Sequence, residues 1–222
     1  MINNEGYTYA YMMHPITRKE LWQAQTALLV AIALQLTIAN ELSIGSKSMV
    51  ALLELLLVFA IGFTAPRRHS TAAGPHKTLS ILIIGLVSTA NAIELGLLTK
   101  ALIKGSELPG KTLLSGALAI FLTNIIMFGL WYWELNSPGL SGRHKAELDD
   151  HFQFPQETSS KSTNWKPTFF DYLYLSLTNS TAFSPTDTLP LTHVAKALMS
   201  VQALISLLTV VLVTARAVNI LG

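Results

Sequence analysis

Apolar residues in this chain gather in nearly continuous runs of about 20, the length an α-helix needs to cross roughly 30 Å of hydrocarbon. Four runs precede residue 136: Trp22 to Leu42, Ser48 to Ala65, Thr78 to Ile103 and Thr112 to Leu135. A further long run begins at His193. Charged residues are 13% of the chain, about half of what a water-soluble domain carries. This pattern predicts an all-α, polytopic membrane helix bundle with five full transmembrane helices. The polar first 20 residues, followed by a run too long for a signal-peptide core, predict that the first span stays in the mature protein.

The runs divide the chain into a four-helix transmembrane region (1–135), a soluble loop (136–166) and a C-terminal hairpin (167–222). Short connections with proline and glycine, such as PRRHSTAAGPHK and KGSELPGK, predict up-and-down neighbours. Trp131, Tyr132 and Trp133 at the end of the fourth run suit an aromatic belt at the membrane surface. Alternating the runs places Arg18, Lys19, Arg67, Arg68, Lys77, Arg143, Lys145, Lys161 and Lys166 on one side, against Lys47, Lys100, Lys104 and Lys111 on the other. The positive-inside rule then predicts a multi-pass inner-membrane protein with a cytoplasmic N-terminus and a cytoplasmic 136–166 loop.

The hairpin opens with a short helix, Phe169 to Phe183, whose start is signalled by Thr168 and Asp171: a hydroxyl for a free N–H and a carboxylate for the positive helix end. Fifteen residues give about 22 Å of helix, short of a full span. Its far end is polar, with Thr178, Asn179, Ser180, Thr181 and Ser184. In lipid such groups need protein partners or water, so Thr178, Ser180, Thr181, Phe183, Ser184, Thr186 and Asp187 are candidates for lining a pore or ligand site. Hydrogen bonding between packed helices is the other reading. On the last helix Gln202, Ser206, Thr209 and Arg216 recur on one face, predicting that this face looks inward. If the short helix crosses, which is the expectation here, Asp171 and Arg216 share one membrane level and can pair.

DYLYLSLTNSTAFSPTDTLPLT and the helix after it resemble the pore helix, filter and inner helix of the potassium-channel superfamily, with Asp187 and Pro190 at the family's aspartate-to-proline spacing. The same stretch, with YWELNSPG and the F-x-F-P-Q of Phe152 to Gln156, is similar to a family of uncharacterised bacterial integral membrane proteins with a channel-like C-terminus. The first resemblance implies ion permeation, the second no known activity. The filter register holds Ala182, Phe183, Ser184, Pro185 and Thr186, without the glycines that let successive carbonyls face a potassium ion.

A second constellation of intramembrane polar groups comprises Asn40, Glu41, Glu54, Asn91 and Glu94, all toward one side. Clustered carboxylates at depth serve cation sites or proton relays, or are neutralised by neighbouring lysines or by protonation. In the loop His144, Asp149, Asp150 and His151 read as solvated charge rather than a metal site. No cysteine and no P-loop, HExxH or GxSxG sequence occurs. The expected function is therefore permeation or sensing of an ion or small solute, with a non-conducting scaffold or accessory subunit as the alternative. No enzymatic role, cofactor or nucleic-acid partner is expected. The expected partners are the lipid bilayer, monovalent cations and further copies of the chain in a homo-oligomer.

Overall fold

The computed structural model describes residues 18–38, 42, 52, 55, 56, 58, 59, 74–104, 109–136, 150–158, 165–182 and 187–221. Their helices are α1 (Arg18–Thr37), α2 (Gly74–Lys104), α3 (Gly110–Asn136), α4 (Pro155–Thr158), α5 (Phe169–Ala182) and α6 (His193–Leu221). Two residues of β1 (Phe152–Gln153) pair antiparallel with β2 (Leu189–Pro190). The fold is otherwise all-α. Among the described residues three segments are long and apolar enough to cross a membrane: Thr78–Lys104, Gly110–Asn136 and His193–Arg216. Helix α1 does not reach that hydropathy, since Arg18, Lys19, Glu20, Gln23, Gln25 and Gln35 interrupt its 20 residues. Most of the 48–65 run, with Glu54, and the Asn40–Glu41 pair lie outside the described residues, so three spans stand where five are expected.

Helix α3 is the axis of the bundle, and 67% of its apolar window is buried, against 22% for α6. Its burial reaches around most of its circumference, including Ile120, Leu130, Tyr132 and Trp133. The expected aromatic belt is therefore corrected: Tyr132 and Trp133 are 0% and 1% exposed. Tyr132 packs on Phe152 and Trp133 on Phe169, with ring centroids 5.1 and 5.3 Å apart. Trp131 is half-buried and donates its indole N–H to Ser88 Oγ at 3.0 Å. Around α3 the outward faces stay apolar, with Leu82, Leu118, Leu204 and Val211 each more than half exposed. An apolar exterior of this extent is compatible with lipid and poorly matched to water.

Packing fixes the direction of each helix. Ala24 and Leu28 of α1 share one buried cluster with Tyr132 and Trp133, while Ile38 shares another with Leu113 and Ala117. Helix α1 thus runs antiparallel to α3. So does α2, through Ser80 against Glu134 and Leu98 against Leu113. Gly129 of α3 is where α5 comes closest: a Cβ there would stand 3.1 Å from Leu173 Cα. A side chain there would require the Leu173 backbone to give by a few tenths of an ångström.

Helices α5 and α6 both begin at the C-terminal end of α3. Phe169 stacks edge-on against Trp133, and Asn136 Nδ2 donates to Tyr172 OH at 3.0 Å. Asn136 Oδ1 accepts from the backbone N–H groups of His151 and Phe152 at 2.6 and 3.0 Å. His151 Nδ1 in turn meets Thr192 Oγ1, the residue before α6, at 2.6 Å. The chain therefore returns between Ala182 and His193 to the end it left at Phe169. This corrects the expected crossing. It also separates the expected ion pair, because Arg216 lies 23 residues along α6, about 35 Å from its start, while Asp171 remains at the start of α5.

Candidate functional site

Two groups of buried polar side chains lie within the apolar bundle, and they differ in how far their hydrogen-bonding capacity is met. The first is the junction of α3, α5 and α6, centred on Gln202. Its Nε2 donates to Ser176 Oγ at 2.6 Å and Ser180 Oγ at 2.7 Å. Its Oε1 accepts from Asn179 Nδ2 at 2.8 Å and, in a short contact, from Tyr132 OH. Asn179 also donates to Met199 O at 3.0 Å, and Ser176 Oγ to Ile125 O at 2.6 Å. Four turns of three helices are tied by these bonds, and none of Tyr132, Ser176, Asn179, Ser180 or Gln202 is more than 3% exposed. One turn deeper Asn124 donates to Ser206 Oγ at 3.1 Å, and Thr209 returns its hydroxyl to Ile205 O at 2.8 Å.

This geometry decides how the predicted pore candidates are used. Gln202, Ser206 and Thr209 do face inward, as the stripe predicts, and Ser180 is buried too, but all four hydroxyls and amides bond protein. Thr178 and Thr181 spend their hydroxyls on their own helix, at Leu175 O and Leu177 O. Asp187 is exposed beyond the hairpin tip. Phe183, Ser184 and Thr186 lie outside the described residues. Asp171 caps α5 as its spacing predicts: Oδ2 accepts from Thr168 N–H at 2.7 Å and from Thr168 Oγ1 at 2.8 Å. His151, buried and tied to Thr192, belongs to the loop anchor, and among the described residues no group of three His, Asp or Glu could hold a metal.

The second group follows the seam between α2 and α3. Near the shared end Ser80 Oγ donates to Glu134 Oε2 at 2.9 Å, both residues being buried. Asn91 on α2 and Thr123 on α3 each lie 11 residues from that contact, in opposite chain directions. Eleven residues make about 3.1 turns. On antiparallel helices Asn91 and Thr123 therefore occupy the same two faces as Ser80 and Glu134, about 16 Å further along the seam. Glu94 follows one turn beyond Asn91, and the three residues are 4%, 0% and 5% exposed in the order Asn91, Thr123, Glu94.

Here two of the buried polar atoms are not met by protein. Asn91 Oδ1 and Thr123 Oγ1 are buried atoms with no hydrogen-bond partner. The contrast with other helical threonines is informative, since Thr89, Thr99, Thr209 and Thr214 all back-bond the carbonyl four residues earlier. Thr123 forgoes that bond while fully buried. A buried oxygen without a partner costs about 1–3 kcal/mol.

Asn91 and Glu94, named from the sequence as polar groups within an apolar run, are buried, and Glu41 and Glu54, predicted beside them, lie outside the described residues. Thr123, Ser80 and Glu134 were missed. Glu134 carried a signal, being the one carboxylate in the fourth apolar run; Thr123 carried none beyond interrupting that run next to Asn124. No protein-family model, curated protein or solved structure matches the chain.

Proposed function

We propose that the chain is a multi-pass inner-membrane protein that passes or senses a small monovalent cation within its helix bundle. In this reading the N-terminus is cytoplasmic, α1 and the 48–65 run complete five spans, and α5 dips into the membrane from the cytoplasmic face without crossing. The returning hairpin leaves the charge balance intact: Lys196 joins the nine basic residues flanking the α3 C-terminal end, and Arg216 joins the four at the other. Ten against five still favours that end as cytoplasmic.

The observation that carries the cation reading is the deep seam, where a buried carboxylate, Glu94, follows two buried oxygens that protein leaves unsatisfied. Intramembrane ionisable groups are costly and mark ion or proton pathways. Full-length protein reconstituted into vesicles, with a cation gradient and a flux readout, tests the reading. Flux in the wild type that Glu94→Gln abolishes is expected. Absence of flux under every imposed gradient of protons, sodium and potassium would overturn it.

The saturated Gln202 junction favours a second reading, in which the hairpin is a rigid, dry scaffold element that keeps a pore-loop shape for assembly in a homo-oligomer. Single cysteines at Ser180 and Thr181, in a chain with no native cysteine, separate the two roles of the hairpin. Failure of Ser180→Cys to react with a membrane-impermeant thiol reagent from either face supports the dry hairpin, and reaction from one face supports a hairpin-lined pore.

A further inference from the structure

We infer that Asn91, Thr123 and Glu94 enclose one buried water that accepts and releases a proton, making the α2–α3 seam a hydrated-proton site. The inference rests on the cation reading above and assigns its ion. A buried water makes about three hydrogen bonds to otherwise unsatisfied polar groups, and Asn91 Oδ1 and Thr123 Oγ1 are two such atoms at matching register on α2 and α3. The Glu94 carboxyl, one helical turn from Asn91, offers an oxygen as the third partner alongside the interaction it already makes.

Three oxygens suit a proton better than an alkali ion. Hydronium has three O–H groups and donates three hydrogen bonds, whereas a dehydrated alkali ion needs its lost hydration shell replaced by rings of oxygens. One turn before Asn91 on α2, Val87 O accepts from the buried Gln35 amide of α1 at 3.3 Å, and Leu95 and Ile120 are buried as well. The step balances simply: a proton from solvent is taken up by the water, shared with the Glu94 carboxylate as an O–H, and returned to solvent.

Charged groups on each packed element lie at the ends of the bundle. Among the described side chains these are Lys19 and Glu20 on α1; Lys100 and Lys104 on α2; Lys111 and, three turns away, Glu134 on α3; Asp171 on α5; Lys196 and Arg216 on α6. Glu41 and Glu54 lie outside the described residues.

The sign of a stability change and a carboxyl spectrum test the site without requiring flux. In full-length protein in lipid nanodiscs, Thr123→Val keeps shape and removes the hydroxyl. If the hydroxyl holds a water, the variant melts at a lower temperature, and the infrared carboxyl band of Glu94, identified by its loss in Glu94→Gln, shifts in position and in its titration midpoint. Asn91→Leu is expected to shift the same band. A Thr123→Val protein that melts higher with an unchanged Glu94 band would mean an empty, merely tolerated hydroxyl and would overturn the site. A melting temperature of the wild type that rises with sodium or potassium at fixed pH and ionic strength, and does so less in Thr123→Val, would overturn the proton assignment in favour of an alkali ion. Loss of flux with an intact band shift would sink the permeation reading and leave the proton site standing.

Discussion

The Gln202 junction and the Asn91–Thr123 seam sit in the same bundle, equally buried, yet one is closed by protein and the other is not. At the junction an amide with four hydrogen-bonding positions meets two hydroxyls, a phenol and a second amide, and each buried atom finds a partner. At the seam an amide oxygen and a hydroxyl are left without one. In a low-dielectric interior the first arrangement rigidifies a fold and the second costs stability unless something else fills it. Polar residues in an apolar helix therefore carry two different messages, and the state of their hydrogen bonds separates them.

The comparison can be broken at its strongest point first. Gln202→Ala strips partners from Tyr132, Asn179, Ser176 and Ser180 at once and opens a cavity, so a loss of about 3 kcal/mol in reversible unfolding is expected. Gly129→Ala should cost about 2 kcal/mol, because the new methyl meets the Leu173 backbone at 3.1 Å rather than a movable side-chain end. Cysteine crosslinking between α3 and α5 would register the same displacement as reduced yield.

Smaller effects sharpen the contrast. Ser180→Ala removes one of the hydroxyls that Gln202 reaches and should cost about 1 kcal/mol, near the usual worth of an interhelical bond. Thr123→Val, at the seam, should cost less than about 1 kcal/mol in the same assay, since a bridging water gives back little more than its own immobilisation. A cost matching that of Gln202→Ala would make the seam as structural as the junction. Thr181→Ala sits at the bottom of the scale: the residue is exposed and bonds only its own helix, so the change should stay within about 0.5 kcal/mol.

Much of the hairpin was legible before any coordinates. Thr168 and Asp171 marked the start of α5, and the bonds between them are the cap that the spacing implies. Helix α5 begins at Phe169 and α6 at His193, both as read. The inward stripe of Gln202, Ser206 and Thr209 follows from helical periodicity alone. The crossing of α5 was misread because hydropathy and length report that a helix is short, and not which end its successor starts from.

What the sequence by itself determined is local: where the apolar runs lie, where helices begin, and which face of each carries its polar groups. These follow from 3.6-residue periodicity, from capping side chains and from the length and composition of the apolar runs. The tertiary structure alone decided which of those polar groups are spent. Asn136 binds a loop 15 residues away and Thr192 lies 41 residues from His151, and these two ties bring α5 and α6 to one end of α3. Gln202 meets Tyr132 from 70 residues away, and Thr123 is left with an unbonded hydroxyl by the packing of α2 on α3. A buried polar group's need for a partner is written in its own chemistry, but the partner is chosen by how distant segments pack.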